Sequence, residues 1–224
     1  MDTDCSTLYT VGYTSFPSTD EFVEVLRGYG IRSLVDVRST PYSAHYEQYN
    51  KENIRRILSE AGISYGNMAQ AFGARQENRE FYKNGRLDFE TFARSDRFQR
   101  GKRRLEDGID NGYAPALMCA EKNPISCHRA ILVARAFWNA GYNVVHILPH
   151  GETKTHETLE KELLDLYFPN RDQRSLFDEN PVDEKECLRE AYIRQNDKIG
   201  FREEDLSNDR LHHRIYEEDG GTIL

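Results

Sequence analysis

The 224-residue sequence has no apolar run long enough to span a bilayer. Its longest stretch, near Ile131 to Trp138, is interrupted by Arg135. It also has few cysteines, four in all, at positions 5, 119, 127 and 187. That is too sparse for a disulfide framework in a chain this size and predicts a reducing, cytoplasmic setting. The segment MDTDCSTLYT has no basic region ahead of an apolar one, so no secretory signal is expected. There is no internal repeat and no low-complexity tract. Hydrophobic residues make up only 38%, which predicts that part of the length lies outside the core.

Charge is present but uneven. The net charge is −8; residues 170–224 hold 15 acids against 9 bases, leaving −2 for residues 1–169. Within that body, Arg75 to Arg104 carries ten bases against five acids. Phe81, Tyr82, Phe89, Phe92 and Phe98 are interleaved with them. Charge and stacking groups together suit a nucleic-acid surface. An amphipathic helix with core phenylalanines and solvated arginines fits the aromatics better. The cluster Arg100, Lys102, Arg103 and Arg104 remains a candidate patch for weak nucleic-acid binding.

Strand and helix patterns alternate through the body. STLYTVGYT, SLVDVR, a short piece at Ile63 to Tyr65, Ala114 to Ala120 and NVVHIL read as strands. Helices are expected from Ser18 to Tyr29, Lys51 to Ala61, Asp88 to Asp107 (bent near Gly101), Cys127 to Asn139 and Thr155 to Tyr167. The pattern predicts an α/β fold, an open, mostly parallel three-layer sheet of Rossmann-like type. The α/β domain is expected to span residues 1–169. Residues 170–224 are expected to form an acidic extension, partly helical and partly disordered, that can be removed without unfolding the domain.

In parallel sheets, ligands bind beyond the carboxyl ends of strands. Those ends deliver Tyr13, Asp36 with Arg38, Cys119 with Glu121, and His146 to His150. Asp36 sits in an apolar run and needs a partner; Arg38, two residues on, shares its face of the strand. The stretch LMCAEKNPISCHR places a proline turn before a helix starting at Ser126 or Cys127. Free N–H groups there, with Arg129 in the first turn, suit a phosphate. They also favour thiolate at Cys127, leaving Cys119 to packing. Zinc through Cys119, Cys127 and His128 lacks a fourth ligand and the usual short cysteine spacing, so neither metal nor cofactor is expected. A deaminase-like reading fails because only Lys122 and Asn123 separate its two halves. Thiol redox chemistry at Cys127 is a minor alternative.

Together, the blocks VGYTSF, LVDVRSTPYS, FGAR, LMCAEKNPISCHR and VVHI resemble the family catalogued as domain of unknown function 488, over roughly residues 7 to 150. SLF at Ser175 to Phe177 is similar to a segment often found after it. The resemblance falls at Gly12, Asp36, Arg38, Pro41, Ser43, Gly73, Arg75, Cys119, Glu121, Cys127, His128 and Arg129. Tyr13 stands where the family often has histidine, and Ala74 where a second glycine is common. The resemblance implies a compact α/β domain with a role around nucleotides or nucleic acids.

The expected function is an enzyme acting on a phosphate-bearing substrate: a nucleotide, or a nucleic-acid base or end. Asp36, Glu121 and Cys127 are the catalytic candidates. Tyr13, Arg38, Arg75, His128 and Arg129 are the substrate-binding ones. The alternative is a non-catalytic recognition domain for modified nucleic acid or a protein partner. No membrane partner is expected.

Overall fold

The computed structural model describes residues 7–171 and 183–206. In chain order the elements are β1 (Thr7–Gly12), α1 (Thr19–Gly28), β2 (Ser33–Asp36), α2 (Lys51–Glu60), β3 (Ser64–Asn67) and α3 (Ala69–Phe72). There follow β4 (Tyr82–Lys83), β5 (Arg86–Leu87), α4 (Phe89–Ala93), α5 (Asp96–Asp110) and β6 (Pro115–Cys119). A π-helical segment, Arg129–Ala134, runs into α6 (Arg135–Trp138). Last come β7 (Asn143–Ile147), β8 (Thr153–Thr155), α7 (His156–Tyr167) and α8 (Glu184–Ile199).

Six strands form one sheet in the order β3-β2-β6-β1-β7-β8, parallel throughout except for the β7–β8 pair. The α/β reading is therefore correct. Side chains alternate across each strand. Leu8, Val35, Leu117 and Val144 point into one apolar layer with α4 to α8, while Val11, Leu34, Met118 and Ile147 point into the other with α1 and α2. Three buried parallel strands read as apolar runs for that reason. No helix among the described residues is long and apolar enough to cross a membrane.

Local signals explain the departures from expectation. The helix expected over Asp88 to Asp107 is two helices, because Ser95 stops one and caps the next, its Oγ accepting from the Phe98 N–H at 3.3 Å. Helix α5 runs unbroken through Gly101, which lets it lie against α3, where a Cβ would fall 2.5 Å from that of Ala71. The unexpected hairpin β4–β5 turns on Asn84 and Gly85, with φ of 51° and 74°, which is the Asn-Gly signature of a tight hairpin. Phe89, Phe92 and Phe98 are core, whereas Arg100, Arg103 and Arg104 are exposed. Lys102 pairs with Glu106 and lies over the Phe137 ring.

Packing continues past the boundary expected at residue 169. Helix α8 buries Cys187, Ala191, Tyr192, Gln195 and Asn196, and Ala191 and Tyr192 belong to the main core. The sparse apolar content that marked this segment as dispensable is offset by polar side chains that bond distant backbone. Asn196 accepts from the Phe89 N–H at 2.7 Å and donates to the Leu87 carbonyl at 2.8 Å. Beyond the helix, the Leu87 N–H bonds the Phe201 carbonyl at 2.9 Å, and the Glu203 N–H bonds the Gly85 carbonyl at 2.9 Å. The SLF segment and residues 207–224 lie outside the described residues.

A buried polar chain ties α8 to the sheet. Thr10 Oγ1 meets His146 Nδ1 at 2.8 Å, His146 Nε2 meets His156 Nδ1 at 3.0 Å, and His156 Nε2 meets the Tyr192 hydroxyl at 3.0 Å. Tyr192 then donates to Glu160 Oε1 at 3.0 Å, and Trp138 Nε1 donates to Oε2 at 3.1 Å. Because Tyr192 gives its proton to a carboxylate, every donor upstream must point the same way, from Thr10 toward Glu160. Each histidine is then neutral, with one N–H. Burial holds both as the neutral form: His156 is pushed down to about 3 by desolvation and by Arg135. His146 lies well below its usual range through desolvation, His156, Arg129 and Lys154.

Two outcomes are expected. Ending the chain at residue 182 should lower Tm by more than about 10 °C or cause aggregation, and Tyr192→Phe alone should cost about 1–3 kcal/mol. A truncated protein that melts with the full chain would show α8 to be an appendage. The second concerns acid. Below the unfolded histidine pKa of about 6.5, the unfolded chain takes up protons that folded His156 refuses until about 3, so stability falls as pH drops through that window. The loss is about 2 kcal/mol per histidine between pH 7 and 5. Glu160, raised by burial, acts in the opposite sense, so the clean readout is the wild type against His156→Asn in urea unfolding at both pH values. Equal pH dependence of the two proteins would rule the account out.

Candidate functional site

Beyond the carboxyl ends of β1, β2 and β6 lies a cavity of about 470 Å³. Its wall includes Tyr13, Arg38, Ser39, Thr40, Tyr42, Ala74, Arg75, Cys119, Glu121, Ser126, His128, Ile199 and Phe201. Tyr13, Arg38, Arg75, Glu121 and His128, all anticipated from the sequence, therefore share one cavity. Asp36, Cys127 and Arg129 stand behind the wall.

Asp36 is fully buried and already committed. Arg38 Nε donates to Oδ1 at 2.9 Å and Nη2 to Oδ2 at 2.6 Å, and the Arg38 backbone N–H adds a bond of 3.0 Å. The Tyr65 hydroxyl donates to Oδ2 at 2.8 Å. A carboxylate with this many donors fixes the Arg38 guanidinium beside it, and Asp36 itself does not line the cavity. Burial pulls the Arg38 guanidinium toward losing its proton, but Asp36 outweighs this and holds it above its ordinary value. Nη2 also reaches the Tyr49 carbonyl at 2.8 Å, and the guanidinium lies over the Tyr13 ring at 5.1 Å. Its Nη1, although buried, has no hydrogen-bond partner.

Arg129 is committed to the protein in the same way. It is fully buried and folds back on the loop before it, Nη1 donating to the Glu121 carbonyl at 2.6 Å and Nη2 to that of Lys122 at 3.4 Å. It clamps the loop and does not line the cavity. Gly12 makes this possible, since a Cβ there would lie 2.0 Å from the Glu121 carbonyl oxygen. Thr14 Oγ1 fastens the same loop through the Ala120 carbonyl at 2.5 Å, and Gln195 Nε2 from α8 holds the Ile125 carbonyl at 2.6 Å.

The clamped loop brings its two ends together. Cys119 Sγ and Cys127 Sγ stand 3.9 and 4.0 Å from His128 Nδ1. Cys127 Sγ contacts Glu121 Oε2 at 2.8 Å. Cys127 is extended, with its N–H bonded to the Pro124 carbonyl at 3.1 Å, so the helix start offers one free donor fewer than expected. The wide π turn that follows is of a kind frequent at functional sites. His128 Nε2 meets the Val37 carbonyl at 3.0 Å. A carbonyl only accepts, so Nε2 carries a proton and Nδ1 faces the sulfurs.

These contacts spread the proton affinities apart. Burial opposes charge on Cys127, but the Cys119 thiol, Arg129 and His128 outweigh it and hold Cys127 well below a normal thiol. The Cys119 thiol is raised, first by its hydrogen bond to Cys127 and then by burial. Desolvation lowers His128, yet the Cys127 thiolate reverses this and raises it. Glu121 is exposed as a residue, but its carboxyl is raised by desolvation and by Cys127. Cys119, Cys127 and His128 together could hold a metal ion, their ligand atoms all lying within 4.8 Å of one another.

Sequence reasoning missed several contributors. Tyr65 reaches Asp36 from β3, the Tyr49 carbonyl meets Arg38 from the turn before α2, and Ile199 and Phe201 come from the segment taken to be a tail. Arg75, an exposed rim residue, lies over the Phe201 ring at 5.1 Å.

A family model described as the domain of unknown function DUF488 matches residues 18–136, just over half of the chain. The chain belongs to this family. No curated protein and no solved structure matches it. The DUF488 region contains Asp36, Arg38, Arg75, Cys119, Glu121, Cys127, His128 and Arg129, but not Tyr13, Ile199 or Phe201.

Arg38→Met should cost about 3–5 kcal/mol in chemical denaturation, because it strands the buried Asp36 carboxylate. A loss under about 1 kcal/mol would mean that Asp36 has another counter-charge.

Proposed function

We propose that this DUF488 protein is an enzyme acting on a phosphate-bearing substrate, a nucleotide or a nucleic-acid base or end, with Glu121 as the acid–base group. The observation that carries this reading is Arg38 Nη1: a charged donor, buried at the cavity wall, without a hydrogen-bond partner. Buried donors are nearly always paired, and an anionic oxygen is the best match for a guanidinium. Arg75 adds a second positive charge at the rim. Glu121, with its raised proton affinity, sits where it can exchange a proton with a bound group. Cys127 keeps Glu121 in that state and acts beside it.

The aromatic members of the wall, Tyr13, Tyr42 and Phe201, favour a flat ring next to the phosphate. The same feature supports a second reading, a domain that binds a modified base without turning it over. Arg100, Arg103 and Arg104, exposed on α5, would then give weak, salt-sensitive contact with a strand.

A panel of nucleoside phosphates and short oligonucleotides, assayed for binding and for product, tests both. Glu121→Gln is expected to lower kcat by about 10²-fold or more with binding retained, and Arg75→Ala to raise KM. Binding without product at any pH would favour the recognition domain. A panel in which nothing bearing phosphate binds would remove both readings.

A further inference from the structure

We propose that Cys119 Sγ, Cys127 Sγ and His128 Nδ1 form a three-ligand zinc site whose open position faces the cavity. The proposal deepens the enzymatic reading and rests on it only for what the metal would do, since the site itself stands on its own geometry. The sulfur–nitrogen separations are 3.9 and 4.0 Å. Around a tetrahedral zinc with usual bond lengths, such pairs stand about 3.6 Å apart. Each sulfur–nitrogen pair would close by a few tenths of an ångström, and the three ligand atoms all lie within 4.8 Å of one another.

The second observation concerns histidine. A metal-bound imidazole almost always donates its other N–H to a carbonyl or carboxylate, which fixes the ring. His128 Nε2 does so to the Val37 carbonyl at 3.0 Å, leaving Nδ1 as the atom directed at the sulfurs. The proton that Nδ1 shares with the thiol pair is the one a metal displaces. Two soft sulfurs and an imidazole select zinc over the hard cations that prefer oxygen.

The ligands are also held in place before any ion arrives. Cys119 is fixed at the end of β6, and Cys127 and His128 at the helix start. Arg129, Thr14 and Gln195 bond the loop between them, and Gly12 gives it room. No fourth protein ligand joins the group among the described residues. Three protein ligands and an open position mark a catalytic zinc site, whereas structural sites are closed by four. Cys119 and His128 both line the cavity, so the open position points there.

Glu121 then has a defined part. Its carboxyl reaches Cys127 Sγ at 2.8 Å and stands beside the open position without belonging to the ligand group. A zinc held by Cys119, Cys127 and His128 would supply Lewis-acid activation of water for hydrolysis, and Glu121, beside Cys127, would take up that water's proton and return it to the leaving group. The class of reaction is metal-assisted hydrolysis.

The test uses the full chain, stripped with a chelator and reconstituted with Zn²⁺ or Co²⁺. One zinc per chain is expected, with Cys119 and Cys127 protected from alkylation while Cys187 gains no protection. The cobalt form should show thiolate-to-metal absorption and four-coordinate d–d bands, which added azide perturbs. Cys119→Ser and Cys127→Ser should lose stoichiometric zinc, while Glu121→Gln should keep it. Substoichiometric zinc in wild type, or cobalt bands without thiolate absorption, would overturn the site; bands indifferent to azide would overturn the open position. If nucleotides bind but zinc does not, the metal falls and the phosphate reading stands. If zinc binds but no phosphate compound does, the reverse holds.

Discussion

A buried guanidinium holding two main-chain carbonyls governs the mouth of this sheet. Arg129 has no exposure, and its Nη1 and Nη2 hold Glu121 and Lys122, which draws the loop after β6 back onto the end of β1; its buried Nε has no hydrogen-bond partner. Burying a cation without a carboxylate at its side is costly, and the carbonyl bonds recover only part of that cost. The compensation is geometric: the loop's two ends arrive at one point, carrying a thiol each. Without that closure, Cys119 and Cys127 would be residues eight apart on an open connection.

A second charged pair works by the opposite logic. Asp36 and Arg38 neutralise each other, and the pairing holds Arg38 rigid. Rigidity suits binding, since a guanidinium that is already fixed loses little freedom when an anion arrives. One charged group therefore shapes the loop and the other the cavity wall. The groups here whose proton affinities the surroundings have moved are Cys119, Glu121, Cys127 and His128.

How much of this was readable in one dimension depends on whether the determining contacts are local. The alternation of elements was, because buried parallel strands must be apolar and SLVDVR and NVVHIL are. The pairing of Asp36 with Arg38 follows from the two-residue period of a strand. The Asn84-Gly85 hairpin was also written locally and overlooked, as was the Ser95 cap inside an apparently continuous amphipathic pattern. Other features have no local signature. Arg129 reads as an anion ligand at a helix start, and only the approach of Gly12 turns it into a clamp. The Cys-Cys-His group lacks the short spacing of metal motifs, because a loop supplies the proximity that spacing usually supplies. Helix α8 reads as a solvated extension, since its anchors, Tyr192, Gln195 and Asn196, are polar and bond partners far away in sequence.

The position of Ile199 and Phe201 in the cavity wall has a consequence for how the protein is made. Chains emerge from the ribosome N-terminus first, and local units fold as they appear. The last strand of the sheet ends at Thr155, whereas Gln195, which holds the loop, and Ile199 and Phe201, which complete the wall, come later in the chain. A nascent chain therefore has no finished cavity until α8 and the residues after it have been made and docked.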